Sequence, residues 1–462
     1  MAEAAKFRTG SLFRHITVMS LTASVGLMAV FVVDLVDMLF ISMLGKDELA
    51  AAVGYAGALL FFTSSFGIGM AIAAGALVAR ALGADDAPLA ARRATNALIL
   101  GVVFGALFAA IVWSFLPQLT SLVGASGLTQ DLAVSYLQII VPSLPLLIVG
   151  MVGGAILRAH GEARTSMMAT IWAGVVNAVL DPILIFGLNL ELQGAAMASV
   201  AARITMGAAA LWPLLKRGDA LARPHVPNLS ADFGPIVTIA FPAILTQFAT
   251  PVGQAIVTRS MAAFGEEAVA GMAIAARLTP VAFAVIFALS GAVGPILGQN
   301  FGAGDHARVR RGFRDAIVFT ALAVGLASLI LFVLRAPIAD LFGAEGAARE
   351  IVFLFCGPLA LMWFFNGMIF VSNAAFNNLG HPYYSTWINW GRHTIGTIPF
   401  VIGGAALLGA GGVLIGQAIG GVLFGGLAVW LALRTMSREA GLARDEPFQP
   451  HVRIMQVLHV RR

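Results

Sequence analysis

Three carboxylates stand where an ordinary membrane helix would not carry them. Asp34 and Asp37 lie in FVVDLVDMLFIS, residues 31–42, and Asp181 lies in NAVLDPILIF, residues 177–186. A charge near the middle of a membrane helix costs roughly 2.5–3.5 kcal/mol even on a lenient insertion scale, so such residues usually mark an ion or substrate pathway. These are the only acids well inside an apolar run. Asn177 sits one turn from Asp181 on the same helical face, as Asp34 does from Asp37. Pro182 lacks an N–H and crowds the carbonyl of Ala178, freeing a backbone oxygen beside the carboxylate. Such oxygens, partly anionic and shielded from lipid, suit a proton or Na⁺.

Acids on separate helices act together only if their depths match. Asp37 lies eight residues before Gly45 and Asp181 eight before Asn189, so both fall roughly 12 Å below the outer helix ends. Tyr136 and Ser199, about five residues into inward-running helices, reach a similar level. The candidate coupling-ion and substrate site is therefore Asp37, Asp181, Asn177, Tyr136 and Ser199, with Asp34 beside it. Asp37, Asn177, Asp181 and Ser199 are the oxygens it offers to Na⁺. The competing, structural reading pairs Asp34 with Arg203, one turn below Ser199 and near the same depth. Tyr136 and Ser199 taken singly also fit ordinary packing or a hydroxyl bonded to its own helix.

The elements that must hold these residues are membrane helices. Of the 462 residues, 59% are hydrophobic and 11% charged, and the mean hydropathy is +0.90. Soluble domains carry about 25% charged residues, so the chain is an integral membrane protein. Its 51 glycines suit close helix–helix packing. The single cysteine, Cys356, excludes an intrachain disulfide. The net charge of +5 resides in short loops and does not point to nucleic acid. Twelve apolar spans are expected, at 14–44, 50–79, 95–117, 131–157, 166–188 and 194–215, then 233–262, 270–299, 314–336, 349–378, 384–407 and 411–434. The first is too long for a signal-peptide core. Segments of about ten residues alternating in polarity, the mark of a β-barrel, are absent. Arg and Lys cluster before span one and after spans two, four, six and eight, and recur in the tail, which puts both termini in the cytoplasm.

The chain repeats itself. LGKDELAAAVG at 44–54 answers FGEEAVAGMAI at 264–274, LGADD at 82–86 answers FGAGD at 301–305, and LPQLTSLVGA at 116–125 answers APIADLFGA at 336–344. With six spans per unit, both units enter from the same side. The fold class is all-α with twelve transmembrane helices in two six-helix lobes related by a parallel repeat. The lobes are 1–216 and 233–434, joined by a cytoplasmic linker at 217–232 and followed by a basic tail at 435–462. In the second lobe Gln254, Val257, Thr394 and Ile398 stand where the first has Asp34, Asp37, Asn177 and Asp181. The acids thus belong to the first lobe alone. The second lobe carries instead an aromatic and amide stripe that includes Trp363, Phe364, Phe365, Asn366, Phe370, Asn373 and Asn377, able to line a cavity for flat cations or simply to pack. Arg392 and His393 lie within span eleven.

On VDMLFISMLGKDELAAAVG at 36–54, LRAHGEART at 157–165 and NAVLDPILIFG at 177–187, the chain resembles the multidrug and toxic compound extrusion (MATE) family over nearly its whole length. The last motif is similar to the DinF-like branch, in which a first-lobe cation site is built from acids on helices one and five. Carried across, the family site falls on Asp37, Tyr136, Asn177, Asp181 and Ser199. The chain departs from the family at Thr22, where a proline is common, although the equivalent Pro242 is present; a bend of helix one would then fall to Gly26. The expectation is a secondary antiporter of the bacterial cytoplasmic membrane. It would work as a monomer among membrane lipids, without cofactor or enzymatic activity, and export organic, cationic, amphipathic compounds in exchange for H⁺ or Na⁺. The competing functions are a lipid-linked oligosaccharide flippase, which would need a large basic cavity, and an intramembrane aspartyl protease using paired acids.

Overall fold

A computed structural model describes residues 5–442; most of the basic tail falls outside them. Eleven helical stretches among the described residues are long and apolar enough to cross a membrane, and the last, Pro382–Ala440, has 59 residues. At 1.5 Å per residue that run would measure about 90 Å, some three times the hydrocarbon thickness. It is instead two spans folded back at Gly409, whose φ of 63° and ψ of −145° break the helical path, the first of them interrupted by a turn at 394–397. The antiparallel pair is held by glycines: a Cβ on Gly404 would lie 2.1 Å from the Gly412 carbonyl oxygen, and one on Gly416 equally close to that of Phe400. Twelve spans result.

They are Leu12–Ser42, Asp47–Gly83, Ala87–Ser114, Gly127–Ala159, Ala163–Gly187 and Glu191–Arg217 in the first lobe. In the second lobe Val226–Ala262 leads to an eighth span in two pieces, Glu266–Ala282 and Ala284–Gly302. His306–Leu341, Gly346–Leu379 and the hairpin follow. Hydropathy placed the spans correctly but cut several short. Arg92 and Arg93 lie inside span three, and Arg308, Arg310, Arg311 and Arg314 inside span nine, because these helices run one or two turns past the apolar core. Each begins at an aspartate cap: Asp86 accepts from the Leu89 N–H and Asp305 from the Arg308 N–H, both at 2.9 Å.

The repeat is visible in the backbone. Gly45 and Gly265 take left-handed φ values of 65° and 93° at equivalent turns. The linker is docked, and its second half belongs to span seven, which starts at Val226. Thr95 exchanges hydrogen bonds with the backbone of Ala222. The buried Asp232 receives Arg92 twice at 3.0 Å and Asn96 at 2.7 Å.

The lobes meet on the side of the termini. Gly83 and Gly302, equivalent in the repeat, contact reciprocally: a Cβ on Gly83 would lie 2.0 Å from the Gln299 carbonyl oxygen, and one on Gly302 would lie 2.1 Å from that of Arg80. Arg80 and Gln299 are themselves equivalent. Arg80 donates across the seam to the Asn378 carbonyl at 2.6 Å, and Gln299 donates to the Ala159 carbonyl at 2.8 Å. The Phe7 ring is buried beside this crossing, its N–H bonded to the Gln299 side chain at 2.8 Å and its carbonyl to Asn300 at 3.1 Å. One apolar cluster joins Phe7, Leu12, Ile16 and Met19 to second-lobe residues such as Leu289 and Ile296. On the opposite side the second-lobe clusters draw on that lobe alone. There one face of span one changes character: Ile16 and Ser20 are buried in its terminal half, while Val30, Asp34 and Met38 on the same face are exposed in its far half. The lobes thus form a V, shut at the termini and open at the far side.

Candidate functional site

Spans one and five run parallel and close because small residues line their contact. Gly26 lies against the Met167 backbone, and a Cβ on Gly174 would lie 3.0 Å from the Val33 side chain. Further along, Phe40 meets Phe186 edge to face, with centroids 6.0 Å apart. Asp37 lies between these contacts and faces Asn177 and Asp181. With its amide nitrogen turned toward the acid, Asn177 donates to both Asp37 oxygens, at 3.1 and 3.2 Å. The Asp37 and Asp181 carboxyls lie close enough to interact. Asp181 is fully buried, and no N–H or hydroxyl among the described residues donates to either of its oxygens. An ionised carboxylate only accepts, so the two carboxyls can hydrogen-bond to each other only with a proton on one of them.

The turn after Asp181 is irregular. Pro182 ends the α-helix and a π-helical turn, Ile183–Gly187, follows it. Such turns open the carbonyl ladder and recur at functional sites. Tyr136 is buried, and Ser199 and Arg203 lie within interaction reach of its hydroxyl. The same hydroxyl lies in the electrostatic field of Asp37 and Asp181. Asp34 is exposed on the open side of span one, and Asp37 is half-buried behind it.

The Asp34–Arg203 pairing does not form. Arg203 donates instead to the Ile140 carbonyl at 3.1 Å and the Ser143 hydroxyl at 3.0 Å. Span four breaks there into a 3₁₀ turn, Val141–Ser143, around Pro142, and Arg203 satisfies oxygens that the break leaves over. Arg203→Gln should therefore lower the melting temperature in detergent, since charged hydrogen bonds contribute about 1.5–3 kcal/mol. Asp34→Asn should leave it nearly unchanged, and the two effects should add. A double variant that melts well above the sum of the single changes would restore the pairing.

The second lobe lacks this arrangement. Val257, the counterpart of Asp37, is packed with Met261 and Val401, and Ile398 stands for Asp181. The aromatic stripe is mainly packing: Trp363 stacks on Phe283 with centroids 4.7 Å apart, and Asn389 donates to Asn373 at 3.3 Å. His393 is buried against span seven at Gly253. Helix one is an unbroken 31-residue helix in this structure, and Gly26 packs against Met167 within it. The residues that sequence reasoning missed are those of the seam, Arg80, Gln299, Gly83 and Gly302. Their signal was available: the LGADD and FGAGD segments place the two glycines at equivalent positions.

The family model described as MatE matches the chain twice, over residues 23–183 and 242–402, well over half its length. The chain belongs to the MATE family of efflux transporters. A relative from Shewanella oneidensis named FAD transporter is 29% identical over 429 residues, covering 90% of this chain and 93% of the relative. The multidrug export protein MepA of Staphylococcus haemolyticus is 26% identical over 341 residues, covering 73% and 75%. Among solved structures, a mutant of the Vibrio cholerae MATE transporter VcmN superposes with a TM-score of 0.88 at 25% identity, covering 94% of this chain and 99% of that one. A multidrug resistance MATE family transporter in an outward-facing conformation gives 0.86 at 22% identity, covering 95% and 99%, a likeness of fold alone. The chain is thus a multi-pass membrane protein of a transporter family, with two six-helix lobes in parallel repeat.

Proposed function

We propose that this MATE transporter is an antiporter that exports organic cations in exchange for protons bound at Asp37 and Asp181. The observation that carries the reading is the closeness of the two carboxyls, in a pocket where Asn177 serves one and no donor among the described residues serves the other. A proton there removes the negative charge that would attract a cation. The clustering of Arg and Lys in terminal-side loops supports a cytoplasmic location for both termini, which makes the V open outward. In that state the acids take up protons and release the cation. The protonated lobes then rock to face inward, discharge the protons and accept new substrate. Na⁺ is the other candidate ion for the same oxygens of Asp37, Asn177, Asp181 and Ser199.

The Shewanella relative gives a second reading, because it matches nearly the whole chain and is named for FAD, an anionic dinucleotide. Proteoliposomes separate the possibilities. Accumulation of a cationic dye under an imposed pH gradient, and little under a Na⁺ gradient, is the expected result. FAD moved while the dye is not would replace the cation reading; a response to Na⁺ alone would replace the proton.

A further inference from the structure

We propose that the groove between spans nine and twelve on the terminal side is a binding site for an anionic phospholipid. The groove has a volume of about 710 Å³. Its wall on span nine places His306, Arg310, Arg311 and Arg314 at the entrance, with Ile317 deeper along the same helix. The wall on span twelve adds Val429 and Leu433 at depth and Ala440 near the rim. Positions 306, 310, 314 and 317 share one helical face, so one surface is basic at headgroup level and apolar a turn further in. The order matches a phospholipid, whose anionic head lies at the interface and whose chains lie in the hydrocarbon.

Charge favours this occupant over others. Arg310, Arg311 and Arg314 are all exposed, and none is in an ion pair among the described residues. Arg310 is oriented by one hydrogen bond, to the Ser437 hydroxyl at 3.2 Å across the groove. No carboxylate belongs to the described lining. The other candidate occupant is the tail, residues 443–462, but its four arginines outnumber Asp445 and Glu446, so it is net basic and the groove would repel it. Basic pockets between transmembrane helices recognise anionic headgroups, each Arg near the surface adding to the attraction. Span twelve also carries the buried Glu439, which pairs with His381 at 3.1 Å, so a lipid here would touch a helix that is tied to span eleven.

The test is native mass spectrometry of full-length, delipidated protein titrated with phosphatidylglycerol or phosphatidylcholine of matched chains. The first phosphatidylglycerol adduct should form at about one tenth of the phosphatidylcholine concentration. Arg310→Gln/Arg311→Gln/Arg314→Gln should abolish that preference. Arg14→Gln/Arg164→Gln/Lys216→Gln, which removes equal charge on the same side outside the groove, should keep it. Leu433→Trp, which fills the apolar depth without changing charge, should weaken phosphatidylglycerol binding several-fold, and inorganic phosphate should not displace the lipid. Equal affinity for both lipids, or a preference surviving the groove triple variant or lost in the control, would overturn the proposal. Stronger phosphatidylglycerol binding after deletion of 443–462 would make the tail the occupant instead.

Discussion

Asp181→Asn should reduce gradient-driven export to the background of empty vesicles, at least about tenfold, and leave the folded protein intact or slightly more stable. The direction follows from the pocket. Asp181 is fully buried and receives no donor from the described residues around it, so folding gains nothing from its charge. An amide at 181 would bring an N–H to the Asp37 carboxylate, which already accepts from Asn177. Asp37 would then be held ionised by two amides, and the proton shared by the pair would have no place. Asp37→Asn should fail as severely for the complementary reason, because Asp181 would keep no acidic partner. Export by both variants at the parental rate in proteoliposomes would remove the acids from the mechanism. Export lost together with monodisperse protein would mean only that the fold depends on them.

Gly83→Ala and Gly302→Ala should each open the terminal-side seam. The added methyl would stand 2.0 Å from the Gln299 oxygen in the first case and 2.1 Å from the Arg80 oxygen in the second. Both obstacles are backbone, so no rotamer change relieves them. Overpacking of this kind costs about 1–3 kcal/mol, which shifts a two-state equilibrium roughly five- to 150-fold away from the sealed form. Ala79→Cys supplies the reporter, since Ala79 is fully buried at the seam, close to Gly298. Its labelling by an impermeant maleimide from the terminal side should rise at least about tenfold with either substitution. The native Cys356 is buried and gives a low background. Unchanged labelling, with transport intact, would mean that this crossing does not set the conformational balance.

The site was legible in the sequence because polarity inside an apolar run is a strong signal. Asp37, Asn177 and Asp181 stood out by cost and by matched depth, and the structure brings them together through glycines at 26 and 174. Arg203 shows where that logic ended. Depth alone placed it near Asp34, but its partners are oxygens left by the break in span four, and a break is a property of backbone geometry. Helix ends were misjudged for a related reason: the arginines at the start of span nine are hydrophilic yet helical, and a hydropathy window sees only the first property. The seam was missed because Gly83 and Gly302 gain meaning only when two distant segments cross.

The most direct measurement of the central claim is the affinity of the purified protein for a fluorescent cation from about pH 5.5 to about 8.5, with and without Na⁺. Each proton bound at the Asp37–Asp181 pair removes a negative charge that would hold the cation, so affinity should fall as the pH is lowered. In Asp181→Asn the pH dependence should flatten, because the shared proton is gone. Na⁺ should have little effect at low pH and compete only where the pair is ionised. Affinity that stays constant over the whole range, yet disappears with Asp37→Asn, would show that the aspartate binds substrate without coupling it to a proton.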